Sequence, residues 1–214
     1  RTMILGKNTS GIPVLVSLTP SGSLNLAFDG DGIKEINFGN SNETPASFEL
    51  LNNGYVVVSS LSPKIAKVSL NGSFDGDFGT NGIAVYEDYL LSNQVTSVSY
   101  DQQNNKILVV TGKAIQTSGG TIYKINPIGV VESERQFSFG NGLAPLSSAD
   151  NDTSGNLYVF GNFNDEKPVS LKFNSAGNQD NSYQLMTNFS WTWTPRYYLN
   201  RSDGSSFILT SKYA

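Results

Sequence analysis

Short apolar runs, each preceded by a turn rich in Asn, Asp and Gly, recur at a fixed interval along the chain. Four of them begin at residues 55, 106, 157 and 207, so that successive starts lie 51, 51 and 50 residues apart. The position 51 residues before Tyr55 is Ile4, which also lies in an apolar run. A period of about 50 residues that correctly points to a further member indicates a repeated fold.

Each repeat predicts four β-strands. The recurring run, such as Tyr55–Val58, is apolar on both faces and predicts a central strand. An alternating strand follows, then a glycine turn, a third strand, and a fourth strand that leads back to the Asn/Gly hairpin. Alternating strands are predicted at 14–18, 65–70, 122–125 and 169–173, third strands at 33–38 and 83–86, fourth strands at 45–50, 95–100 and 194–199, and turns with positive φ at Gly22, Gly72, Gly129 and Gly177.

The predicted fold class is all-β, because no segment of useful length has the 3.6-residue periodicity of a helix. Four-stranded antiparallel units of about 50 residues predict a β-propeller of at least four blades. A β-solenoid is the alternative, although its rungs are usually much shorter. The repeat units fall at approximately 1–43, 44–93, 94–142 and 143–193, with a further unit starting at 194–214. We expect 1–214 to form a single propeller domain or a segment of a larger ring; the strand order favours the segment.

The turn after the second strand of each unit carries the most specific motif. Residues 71–85 contain Gly-Ser-Phe-Asp-Gly-Asp-Phe-Gly-Thr-Asn-Gly, and residues 22–33 are similar, with Asn25 where Asp is usual. This resembles the signature of the delta-60 repeat family, which recurs in large bacterial surface proteins. The later units keep Gly129 and Gly177 but lose most of the motif. The resemblance implies a propeller and leaves the activity open.

Composition removes several classes of function. The 214 residues include no His and no Cys, which excludes thiolate nucleophiles, Ser-His-Asp triads and zinc sites of ordinary ligation. A net charge of −4 argues against a nucleic-acid partner. The chain has no apolar run of the roughly 18 residues that a transmembrane helix requires. Many Asn, Ser, Thr and Gly residues with few charges favour a secreted or cell-surface bacterial protein, with the periplasm as the other compartment.

Two pairs of aspartates on glycine-rich turns suggest calcium. Asp29 and Asp31, and Asp75 and Asp77, offer the oxygen ligands that Ca²⁺ prefers. They do not form an EF-hand, whose glycine and glutamate positions are missing. Aspartates in such turns more often accept hydrogen bonds from nearby backbone N–H groups. We therefore expect turn structure and no cofactor, with Ca²⁺ as the alternative.

An aromatic cluster near the fourth unit is the candidate ligand site. Trp191 and Trp193 occupy alternate positions just before the predicted strand at 194–199, beside Arg196 and Tyr197. Aromatic rings with a nearby arginine are the combination that carbohydrate and peptide sites use. The alternative role for these rings is packing between neighbouring blades. The loop 87–92, which contains Asp88 and Tyr89, is expected on the same face of the propeller as the tryptophans, near the mouth of the central channel.

These features predict a non-enzymatic, exported propeller that acts as a binding or structural module in a cell-surface or secretion-associated assembly. Its partner is expected to be a protein or a surface glycan. The alternatives are a carbohydrate-binding module and a glycoside hydrolase, since paired carboxylates need no histidine. The acids available for hydrolysis are scattered, and we assign no catalytic residue among Glu43, Glu49, Asp88 and Asp150.

Overall fold

The chain is described by a computed structural model in which every regular element is a β-strand. It covers residues 1–39, 43–59, 64–86, 93–113, 120–137, 146–152, 154–163, 167–183, 193–200 and 206–212. For 193–200 and 206–212 the backbone alone is described. No helix, and therefore no membrane-spanning helix, occurs in these ranges.

Sixteen strands form five antiparallel sheets in the described ranges. The sheet orders are β1-β2-β3, β4-β5-β6-β7, β8-β9-β10-β11, β12-β13-β14 and β15-β16, so each strand pairs with its neighbour in the sequence. The strands are β1 Thr2–Lys7, β2 Pro13–Leu18, β3 Ile33–Glu35, β4 Pro45–Leu51, β5 Gly54–Ser59, β6 Lys64–Ser69, β7 Ile83–Val85, β8 Asn93–Asp101, β9 Lys106–Lys113, β10 Gly120–Ile125, β11 Val131–Phe137, β12 Leu146–Asn151, β13 Leu157–Phe163, β14 Lys167–Phe173, β15 Trp193–Asn200 and β16 Ser206–Lys212.

The predicted central strands lie inside their sheets. All six residues of β5 are buried between β4 and β6, as a strand that is apolar on both faces requires. β9 occupies the same place between β8 and β10. The predicted third strands are shorter than expected, because β3 ends at Glu35 and β7 ends at Val85.

The chain divides into two compact units. Unit 1 comprises Arg1–Leu91 and Pro127–Val130, and unit 2 comprises Ser92–Asn126 and Val131–Ala214. The core of unit 1 is built by buried side chains from its two sheets and from the segments that connect their strands, including Leu15, Phe28, Ile36, Tyr55, Val57 and Val68. The core of unit 2 gathers Leu108, Val110, Ile122, Phe137, Leu146, Val159 and Phe173.

The glycine turns have the predicted backbone conformation. The φ angles of Gly22, Gly72, Gly129 and Gly177 are 85°, 96°, 89° and 84°. At Gly72 a Cβ would lie only 2.5 Å from the backbone nitrogen of Asp29, whose N–H donates a hydrogen bond to the Asn71 carbonyl at 2.8 Å. Glycine is therefore required there both by the backbone conformation and by the close approach of a neighbouring turn.

Candidate functional site

The predicted aromatic site falls largely outside the described side chains. Trp191, Asp88 and Tyr89 lie outside the described residues. Trp193 is the first residue of β15 and pairs with Lys212, while Tyr197 pairs with Leu209. Arg196 sits at a register shift between Pro195 and Tyr197. The sequence placed Trp193 just before this strand, and the structure includes it in the strand; its role in binding stays a prediction.

The aspartates proposed for calcium are engaged in turns. Asp75 accepts a hydrogen bond from the Asp77 backbone N–H at 3.2 Å and forms an ion pair with Lys67 at 2.8 Å. Asp31 accepts from the Ile33 N–H at 2.8 Å. Asp29 pairs with the Lys34 ammonium at 3.2 Å. The predicted capping role of Asp75 is confirmed, and no cluster of three or more acids occurs in the part of the chain that the structure describes.

A pair of residues spaced by eight recurs at the same place in three sheets. Its backbone contact is an N–H donated to the carbonyl eight residues earlier, at 2.8–2.9 Å. Its side chains also meet: Asn25 with Ser17 at 3.1 Å, Asp75 with Lys67 at 2.8 Å, and Asp180 with Lys172 at 3.4 Å. Two of the three strands thus use the turn's carboxylate to neutralise a lysine.

The third sheet lacks this arrangement. Lys124 occupies the strand position of Lys67 and Lys172, but only residues 126–130 separate β10 from β11, whereas residues 70–82 separate β6 from β7. The residue eight positions after Lys124 is Glu132, which lies on β11 and pairs with Lys106 at 2.6 Å. Among the residues that the structure describes, the Lys124 ammonium has no carboxylate within 4 Å. The positive charge of Lys124 is therefore available to a ligand.

Lys124 lines a cleft of about 390 Å³ in unit 2. The cleft is bounded by β10, β11, the turn between β12 and β13, and the end of β14. Its apolar wall consists of core residues Ile122, Leu157 and Phe173. The other lining residues carry charge or hydrogen-bonding groups or belong to tight turns: Lys124, Ser133, Glu134, Arg135, Asn151, Gly155, Asn174, Ser175, Ala176 and Gly177.

Arg135 is the second cation of the cleft and is held in place from two sides. Its Nη1 donates to the Gly177 carbonyl at 3.0 Å, and its guanidinium lies 4.0 Å from the centroid of the Phe173 ring. A guanidinium has five N–H donors, so most of them remain for a ligand. The stacked, hydrogen-bonded geometry positions those donors before any ligand arrives.

Asn151 supplies a polar group with unused bonding capacity. Its Oδ1 is buried and accepts no hydrogen bond from the described residues. Leaving a buried acceptor unpaired costs about 1–3 kcal/mol, which marks this part of the cleft wall as energetically unusual.

Asp152 caps the described residues of the adjacent turn between β12 and β13. Asp152 accepts from the Asn156 side chain at 2.7 Å and from the backbone N–H groups of Ser154 and Asn156 at 2.9 Å. Burial opposes ionisation of Asp152, but these hydrogen bonds outweigh it and hold the pKa of the carboxyl below its ordinary value. The residues on either side of Gly155, which lines the cleft, are therefore held by charge-assisted hydrogen bonds to Asp152.

Lys124, Arg135 and Asn151 were not predicted as site residues. A signal was present for Lys124, because a lysine near the end of the alternating strand is followed by the five residues 126–130 where the second repeat has thirteen, residues 70–82. No local pattern marks Arg135 or Asn151, since the groups that they meet lie elsewhere in the chain.

Comparison with known proteins shows the fold. No family model and no curated protein matches the chain. Solved structures do, and three of them cover 96–98% of it. A protein of unknown function from Bacteroides caccae matches with a TM-score of 0.56 at 14% identity, and virginiamycin B lyase from Staphylococcus aureus with 0.55 at 11%. The extracellular domain of a one-component system from B. thetaiotaomicron matches with 0.52 at 12%.

Virginiamycin B lyase is a β-propeller, and the chain shares this fold: it is an all-β protein whose described sheets are antiparallel, two of them with four strands. The predicted all-β propeller class is therefore confirmed, whereas the number of blades stays a prediction. The chain spans 64%, 62% and 24% of the three matched chains. At these identities the likeness concerns the fold alone.

Proposed function

We propose that this protein is a non-enzymatic, exported propeller of the delta-60 type that serves as a binding module of a cell-surface or secretion-associated assembly. The observation that carries the proposal is the cleft of unit 2. It combines an apolar wall, two cations and neutral hydrogen-bonding groups on strands and short turns, which is the usual make-up of a ligand site.

The lining of the cleft favours binding over hydrolysis. Glycosidases of the common kind need two carboxyl groups on either side of the scissile bond. Among the described residues that line the cleft, Glu134 is the single acid. The extracellular domain among the structural neighbours is consistent with an exported protein, while the lyase among them keeps an enzymatic role as the rival to be tested.

Blocking the cleft tests the proposal. The purified chain is applied to an array of bacterial and host glycans, together with Ser175→Trp, which places an indole in the cleft from an exposed position. Ser21→Trp, at an exposed position in the corresponding turn of the first sheet, is the matched control. We expect the parent and the control to bind the same glycans and Ser175→Trp to lose them.

Two results would contradict this function. Chemical turnover of a bound glycan, followed by chromatography of the products, would make the protein an enzyme. Unchanged binding by Ser175→Trp, with circular dichroism showing intact sheets, would move the ligand away from the cleft and towards the predicted aromatic cluster around Trp191 and Trp193.

A further inference from the structure

We infer that the cleft recognises a sugar acid, meaning a monosaccharide unit that carries one carboxylate beside its hydroxyl groups. This inference rests on the proposed binding function and adds the class of ligand. It is carried by the ammonium of Lys124, which meets no carboxylate among the described residues, by the hydrogen-bonded guanidinium of Arg135, and by the neutral polar groups around them.

The repeated structure shows what Lys124 lacks. At the same strand position, Lys67 meets the Asp75 carboxylate at 2.8 Å and Lys172 meets the Asp180 carboxylate at 3.4 Å. The shortened connection after β10 removes that carboxylate from the third sheet. A ligand carboxylate beside Lys124 would restore the contact that the turn provides elsewhere.

The charge balance favours one carboxylate over a phosphate. Lys124 and Arg135 contribute two positive charges, and Glu134 contributes one negative charge, which leaves the lining of the cleft with a single net positive charge. A carboxylate carries one negative charge at neutral pH, whereas a phosphate monoester carries about 1.5 to 2. The monoanion therefore matches the site.

The remaining groups favour a hydroxylated ligand. The hydroxyl or amide side chains of Ser133, Asn151, Asn174 and Ser175 offer partners for sugar hydroxyls. An extended acidic peptide fits less well, because on the edge strand β11 it would lie beside the carboxylates of Glu132 and Glu134. A volume of about 390 Å³ is suited to a small ligand.

The test is an NMR or calorimetric titration of the chain with D-glucuronate, with D-glucose as the neutral match and acetate as the match without hydroxyls. We expect glucuronate to bind at least about tenfold more tightly than either, and added salt to weaken its binding. Lys124→Gln should weaken glucuronate by about tenfold. Lys172→Gln, at the corresponding position of β14 where the ammonium already pairs with Asp180, should leave the affinity within about twofold.

A second variant tests the inference without changing Lys124. Ser133 is exposed and lies directly opposite Lys124 on β11, so Ser133→Asp supplies the missing carboxylate from the protein itself. We expect it to abolish glucuronate binding while the melting temperature stays the same or rises.

Four outcomes would overturn the inference: no binding of glucuronate, equal binding of glucose and glucuronate, unchanged binding in Lys124→Gln, or tighter binding of a Glu-rich peptide. Failure here is distinguishable from failure of the proposed function. If the array detects neutral glycans that Ser175→Trp no longer binds, the cleft is a binding site but does not select sugar acids.

Discussion

At the scale of single residues, the ion pair between Lys67 and Asp75 makes the stability of unit 1 dependent on acid. The Lys67 side chain is only 5% exposed, and its hydrogen bond to Asp75 holds the pKa of that carboxyl below its ordinary value of 3.8. A group with a lowered folded-state pKa binds fewer protons when folded. Its contribution is therefore complete above the unfolded pKa and is lost as the pH falls below 3.8 towards the folded value.

Asp75→Asn should lower the free energy of unfolding by about 1–2 kcal/mol at pH 7, because it leaves a nearly buried ammonium without its counter-charge. The loss should shrink as the pH falls below about 4, because the carboxyl of the unfolded parent is protonated first and the folded carboxyl follows only at lower pH. Urea denaturation at a series of pH values measures both effects. Asp180→Asn removes the more exposed equivalent pair and should cost less; an equal cost, or a pH profile identical to that of the parent, would contradict this account.

Alanine substitutions at two glycines distinguish the cost of backbone strain from the cost of steric contact. Gly72 and Gly30 have φ angles of 96° and 88°, so alanine is strained at both. A Cβ at Gly30 meets no atom within 4 Å, whereas at Gly72 it lies 2.5 Å from the Asp29 nitrogen. We expect Gly30→Ala to cost about 1 kcal/mol and Gly72→Ala about 3 kcal/mol. Equal melting temperatures for the two variants would show that the neighbouring turn yields to the added methyl group.

At the scale of elements, the long connections of the first two sheets owe their shape to a buried aromatic residue. Phe28 and Phe78 are fully buried, and in each connection the backbone N–H of the phenylalanine donates to the carbonyl three residues earlier, at 2.9–3.0 Å. Replacing either with Ala should cost about 3–5 kcal/mol in denaturant unfolding. Phe74→Ala, at a half-buried position in the same connection, should cost less than half as much. A small loss at Phe78 would show that the turn holds its shape by hydrogen bonds.

The same elements show how far the sequence can predict the structure. Strands, their pairing and the glycine turns follow from local patterns, since a doubly apolar run between two turn signals has few other stable forms. The structure aligns Asp75 with Asn25, as the motif predicts, because the backbone N–H of each donates to the carbonyl eight residues earlier. The aspartate pairs that were both considered for calcium therefore occupy different structural positions in the two turns. Carboxylates that look equivalent in a motif therefore have different partners.

Local sequence patterns could not predict the cleft. Its two cations stand on β10 and β11, but the groups that complete it, Asn151 and the turn at 174–177, come from strands of the following sheet. The contact of Arg135 with Gly177 joins residues 42 positions apart. A repeat predicts the features that its copies share. This site arises because the third sheet lacks a turn contact that the first, second and fourth sheets have in common.

At the scale of the whole molecule, we expect calcium to have little effect on stability, because aspartates in both repeated turns already have partners. Ca²⁺ requires six to eight oxygen ligands, and several aspartate oxygens on the two turns already accept hydrogen bonds or ion pairs, as at Asp31 and Asp75. Binding would have to break those contacts at each turn separately. We therefore expect the melting temperature, followed by circular dichroism of the β-sheet signal, to shift by less than about 1 °C on adding a chelator or millimolar Ca²⁺. A melting temperature that rises by several degrees with Ca²⁺ in the parent, but not in Asp75→Asn, would contradict this expectation. It would show that the turn binds a metal and that Asp75 does not act through its ion pair with Lys67 alone.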